Sequence, residues 1–206
     1  MKLRAILFVM AVAAAALYAG SRGPSSDPAS LEALMAEVSA MWAVEEAIVR
    51  IVSDPIRVSV VGERNERADV TVQQFLQLFT RLTGRRVEWL AQTDGNEDIR
   101  IAYVPREEYL ERGAVCYAAG YPKNAFGPGR PERLVVIPDD LSPFKTERCV
   151  RHELVHALRI QGHPDVVSVL NSGNREFTTV NDLILLRTLY DHRITTDMTG
   201  DEFLAI

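Results

Sequence analysis

The sequence predicts an α+β domain in which one sheet covers helices, one of them carrying the run His152-Glu153-Leu154-Val155-His156. Three observations lead there. Helical and strand periodicities occur in the order helix, strand, helix, several strands, helix, closing helix, with no repeat and no long low-complexity tract. Apolar residues make up 47% and charged residues 25% of the 206, a globular balance that can bury a core without cross-links or metal. Three of the four histidines fall between positions 152 and 163.

The first residues are set apart from the fold. Lys2 and Arg4 precede an apolar, alanine-rich run from Ile6 to Tyr18, followed by Ala19 and Gly20. Residues 1–19 therefore read as a secretory signal peptide, with an uncleaved membrane anchor as the alternative. Leu17 stands where a cleavage site prefers a small residue, and no cysteine follows for a lipid anchor. Residues 20–30, rich in Gly, Ser and Pro, read as a linker, and 31–206 as one domain. Both alternatives place the folded part outside the cytoplasm, periplasmic or extracellular. Loss of Lys2 and Arg4 with the signal takes the formal charge from -5 to -7. An acidic exported domain argues against nucleic acid as a partner.

Each element has its own signal. Asp27-Pro28 opens a helix whose apolar positions, Leu31, Leu34, Met35, Val38, Met41, Trp42, Ile48 and Val52, recur at three- and four-residue steps until Ser53-Asp54-Pro55. Ile56 to Val61 reads as a strand. Thr71 and Gln74 have capping-box spacing, and Val72, Phe75, Leu76, Phe79 and Leu82 predict a second helix, stopped by Gly84. Val87 to Ala91 and Ile99 to Val104 read as strands separated by Asp94-Gly95-Asn96, and Val115 to Ala118 as another. Tyr121 to Pro131, dense in Gly and Pro, reads as a loop, and Leu134 to Ile137 as a short strand. The motif helix is expected from about Thr146 to Ile160, ended by Gly162 and Pro164. A last helix runs from about Thr179 to Tyr190.

On a helix, His152 and His156 lie one turn apart on one face, where two imidazoles can reach one Zn²⁺. Neutral imidazoles of His152, His156 and His163 would hold the ion and leave a fourth position for water, whose pKa falls toward about 7. Glu153 is placed to accept the proton of that water as it attacks a peptide carbonyl and to pass it to the leaving amine. Asp165 is the reserve third ligand and Glu176 the next. Tyr190 or Tyr121 is a candidate to assist the oxyanion, against the ordinary reading of such tyrosines as packing. His192 lies at a helix end, where a cation suits the dipole. Cys116 and Cys149, the only cysteines, read as one disulfide in an oxidising compartment. Buried thiols or ligation by Cys149, three residues before His152, are the alternatives.

The segment His152 to His163 resembles the metzincin signature of zinc peptidases, in which H-E-x-x-H is followed by a turning glycine and a third histidine. That resemblance implies a zincin-type fold, with a mixed sheet over the motif helix and a smaller C-terminal part. Arg159 stands where the signature has its glycine. His163 comes one residue later than the signature histidine, directly behind Gly162, an extension that some bacterial matrixin-like proteins share. The nearest later methionine, Met198, is distant for a Met-turn. A second resemblance rests on Cys149, the 153–158 helix, Ser168-Val169-Leu170-Asn171, Asn181-Asp182 and Leu186 to Asp191. Over roughly residues 55–200 the chain is similar to an uncharacterised family of exported bacterial proteins, a domain of unknown function with some members labelled lipoproteins. That family does not by itself imply catalysis.

Two functions compete. One is an exported zinc metallopeptidase acting on a peptide or protein substrate. The other is a non-catalytic envelope-binding module on the same scaffold, with structural zinc or none. Glu153 favours the first, since structural zinc needs no base; Arg159 favours the second. A fourth protein ligand such as Cys149 closes a site into a structural one, whereas an open position permits catalysis.

Overall fold

The apolar runs of the middle of the chain become a five-stranded sheet. A computed structural model describes residues 31–36, 39, 53–63, 65–93, 95–105, 116–120, 133–160, 168–170, 178–195 and 197–205. In chain order the strands are β1 (Ile56–Val61), β2 (Val87–Leu90), β3 (Ile99–Val104), β4 (Tyr117–Gly120) and β5 (Arg133–Pro138). They lie side by side in the order β2-β1-β3-β5-β4. β2, β1, β3 and β5 are parallel, in registers such as Val58 beside Ile99 and Ile101 beside Val135. β4 runs antiparallel to β5 and forms the outer strand. The fold is thus a mixed α and β arrangement. Parallel neighbours need crossovers, and the first is the helix α1 (Glu66–Thr83) between β1 and β2.

β3 alternates buried and half-buried residues, as expected of a strand with one face against helices. Ile99, Ile101 and Tyr103 form that face beside Ile56 and Val58 of β1 and Val135 and Ile137 of β5. Ala68, Val72, Phe75, Leu76 and Phe79 of α1 belong to the same core. Each of the Val, Leu, Ile and Phe side chains contributes about 1.5–3 kcal/mol by leaving water. Gly62 closes β1 at φ 90°, and a Cβ there would lie 2.0 Å from the Tyr103 carbonyl oxygen, so only glycine fits the approach to β3.

Helix α1 starts earlier than its sequence signal suggests. Asn65 is the N-cap, its side chain accepting from the Ala68 amide at 3.0 Å. Glu66 and Asp69 then place negative charge in the first turn, where the helix dipole favours it. Thr71, expected as a cap, is an interior residue whose hydroxyl donates to the Arg67 carbonyl at 2.9 Å. Its spacing to Gln74 mimics a capping box six residues past the true N-cap. Gly84, at φ 75°, ends the helix as expected.

Helix α2 (Pro143–Ala157) carries the motif, with Ser142 as N-cap and Pro143 in the first turn. It begins three residues before Thr146 and ends before Ile160, the end anticipated from Gly162 and Pro164. Val150, Leu154, Val155 and Leu158 are fully buried, and α2 packs on α1, β4 and β5. Helix α3 (Val180–Leu189) packs on α1 and matches the expected last helix, with Thr179 as cap. The short α4 (Gly200–Leu204) was not legible in the sequence. Of the expected N-terminal helix, residues 31–36 and 39 are helical and Leu34 is buried; its remainder, the signal segment, the linker and the loop 121–131 lie outside the described residues. No described helix is long and apolar enough to cross a membrane.

Cys116 and Cys149 form the anticipated disulfide, with Cα atoms 5.9 Å apart. It joins the start of β4 to the middle of α2. It closes a sequence separation of 33 residues, which restricts the unfolded chain by about 3–4 kcal/mol. Replacing both cysteines by alanine should therefore lower the melting temperature by roughly 6–16 °C for a domain of this size. Circular dichroism melts of the two proteins under oxidising conditions check this. Equal melting points would show that the cross-link does not hold the helix to the sheet.

Candidate metal centre

The period of α2 decides what its side chains can reach. Cys149, His152 and His156 follow at three- and four-residue steps and share one face. The opposite register, Val150, Leu154 and Leu158, anchors the helix in the core. Cys149 is spent in the disulfide, so its sulfur is not a thiolate ligand. His156 is buried, His152 is half-buried, and Glu153 is only 4% exposed.

The end of α2 orients His156. The Arg159 amide donates to the His156 carbonyl at 2.9 Å and the Ile160 amide to the Val155 carbonyl at 3.2 Å. This is a Schellman closure, and it requires a left-handed residue after the cap. Arg159 takes that conformation, at φ 74°, the sole described non-glycine residue with positive φ. Arg159 thus holds a backbone conformation that glycine favours, at a cost of about 1–2 kcal/mol. The turn brings the Ile160 carbonyl back over the helix, where it accepts from His156 Nδ1 at 2.7 Å.

His152 is oriented from another segment. Its Nδ1 donates to the Val169 carbonyl at 2.9 Å. A carbonyl only accepts, so both rings carry their proton on Nδ1 and are left with a basic Nε2 when neutral. Those two Nε2 atoms face each other at 3.1 Å, with the rings edge to face and their centroids 4.7 Å apart. Two lone pairs at this distance repel unless a proton or cation lies between them. Zn–N bonds of about 2.0–2.1 Å in a tetrahedral site put two nitrogens roughly 3.3 Å apart. The pair fits a shared zinc ion, and each ring already has the backbone acceptor that metal-binding imidazoles use.

Glu153 lies between the two histidines in sequence and accepts a hydrogen bond from the Ala118 amide of β4. Burial pushes its carboxyl up from 4.5 to about 7, and the Ala118 amide opposes the rise.

The other expected residues sort as follows. His163, Asp165, Glu176 and Tyr121 lie outside the described residues. Among the described residues, no three His, Cys, Asp or Glu side chains come together as a metal-holding group. Tyr190, a candidate for the oxyanion, is 2% exposed, donates from its hydroxyl to the Leu158 carbonyl at 3.2 Å and packs edge-on against Phe79. Its placement is that of a core residue closing the end of α2. Met198 packs at the margin of the core. His192 is exposed beside Asp191 after α3, the helix-end setting expected of it. Sequence reasoning missed the carbonyls of Ile160 and Val169, since any residue type supplies a carbonyl and only the fold aims it.

The raised carboxyl of Glu153 sets a pH dependence. The folded chain holds this proton more tightly than the unfolded chain, whose glutamate titrates near 4.5. Its stabilising effect is complete below that value and is lost as pH rises toward about 7. In chelator-treated protein, denaturant melts should show the wild type losing up to about 3 kcal/mol relative to Glu153→Gln across this window. Parallel pH curves for the two proteins would contradict the burial of an ionisable carboxyl here.

Two solved structures of myroilysin align with the chain, each at 17% identity. One covers 84% of this chain and 69% of its own with a TM-score of 0.38, the other 87% and 81% with a TM-score of 0.36. No curated protein matches. A family model described as a protein of unknown function (DUF2927) matches residues 33–206, and the chain belongs to that family.

Proposed function

We propose that this chain is an exported zinc-dependent metallopeptidase. The observation that carries the reading is the pair of Nε2 atoms 3.1 Å apart, each ring held at Nδ1 by a backbone carbonyl, with a buried glutamate next to them on the same helix. His152 and His156 supply two ligands, and His163, with Asp165 in reserve, the third. A zinc ion bound there supplies a Lewis acid for the scissile carbonyl and lowers the pKa of water. Glu153 accepts the proton of the attacking water on its carboxylate and delivers it to the leaving amine nitrogen.

The scaffold supports the reading. A mixed sheet lying against the motif helix is what the zincin resemblance implies. The basic, then apolar N-terminus supports export through a signal peptide or anchor, and the disulfide suits an oxidising compartment.

Glu153→Gln keeps shape and the capacity to accept from Ala118 but removes the proton acceptor. It should retain zinc and lose peptide hydrolysis by about 10²–10⁴-fold. His156→Ala should lose zinc and activity together. Metal analysis and cleavage of a peptide library by wild type and both variants decide it. Wild-type protein that carries zinc yet cleaves nothing would replace the peptidase with the binding module.

A further inference from the structure

The carbonyl that orients His152 is itself held by a chain of hydrogen bonds. Ser168, Val169 and Leu170 form a turn whose side chains are fully buried. The peptide group between Val169 and Leu170 accepts from His152 Nδ1 on its oxygen, at 2.9 Å, and donates from its nitrogen to Ser168 Oγ, at 3.0 Å. Ser168 Oγ–H donates in turn to Asp182 Oδ1 at 2.5 Å. Every donor points the same way, from the imidazole to a carboxylate. Such a chain polarises each member and strengthens the next bond.

Asp182 is itself fixed from several sides. It is 1% exposed and lies in the first turn of α3. Its Oδ2 accepts the Val169 amide at 2.9 Å, the Thr179 amide at 2.7 Å and the Thr179 hydroxyl at 2.8 Å. One carboxylate therefore caps a helix, grips the turn at Val169 and terminates the chain from His152. Capping alone would need only the Thr179 contacts. His156 has a different arrangement, since its carbonyl partner belongs to the end of its own helix.

We propose that Asp182 is the positioning residue of His152. Acting through Ser168 and the 169–170 peptide, it fixes the Nδ1–H tautomer and the ring direction, and raises the basicity of Nε2 toward a divalent cation. This is a carboxylate–histidine arrangement with a serine and a peptide group interposed. The cation arm of the proposal rests on the ligand role of His152 given above; the tautomer arm does not.

The test uses Asp182→Asn and Ser168→Ala. The second leaves the cap between Thr179 and Asp182 in place and decides the matter if the first does not fold. Long-range proton–nitrogen NMR of the metal-free proteins reads the tautomer of each histidine. In wild type both rings should be Nδ1–H. In the variants His152 should become a tautomer mixture while His156 stays unchanged. Zinc titration should show affinity reduced by about 10–100-fold. A merely structural Asp182 would lower the melting temperature and move neither readout. Folded Ser168→Ala with an unchanged His152 tautomer would overturn the proposal. Wild type that takes up no zinc would defeat the ligand reading, and the NMR comparison would still decide the role of Asp182.

Discussion

Two backbone carbonyls, those of Ile160 and Val169, determine what the motif helix can do. An imidazole on a helix can rotate about two bonds and present either nitrogen. Here each Nδ1 is engaged by a carbonyl at 2.7 and 2.9 Å, which leaves each Nε2 aimed at the other. Neither carbonyl is in position by accident. The first depends on a Schellman turn built with Arg159 in a left-handed conformation, and the second on a buried turn gripped by Asp182. A free helix with the same residues would have the spacing without the orientation.

The helix has to be held before its side chains can be aimed. Its apolar face, Val150, Leu154, Val155 and Leu158, is buried against α1 and the sheet, and the disulfide joins it to β4 one turn before His152. Tyr190, from the end of α3, donates to the Leu158 carbonyl and so meets one of the orphan carbonyls of the helix end. The same region gathers features that oppose folding: two facing lone pairs, a desolvated carboxyl and a left-handed arginine. Such local conflicts are kept where a fold serves a site. A cation between the imidazoles would offset the first of them.

Much of this was legible in the residues. β1, β3, α1 and α3 follow from short apolar runs, three- and four-residue steps and the Gly84 stop. The H-E-x-x-H run lies on a helix, as its spacing predicts, and the two cysteines form the disulfide that their count suggested. Boundaries failed where local signals were ambiguous. Thr71 looked like a cap because threonine serves as well inside a helix, bonded back to Arg67. The end of α2 was assigned to Gly162 because the turn is formed by an arginine, a residue type that rarely marks it. The orienting network stayed hidden for another reason. Thr179 and Asp182 have capping-box spacing, but nothing in a linear chain says that the same carboxylate also reaches Ser168 and Val169.

The central claim is that His152 and His156 are arranged to share one metal ion. Zinc-edge X-ray absorption on protein loaded with one equivalent of zinc measures this directly. The account predicts a nitrogen and oxygen shell at about 2.0–2.1 Å with the outer-shell scattering of at least two imidazoles, reduced to that of fewer rings in His152→Ala. A spectrum without imidazole scattering, or one unchanged by His152→Ala, would contradict it.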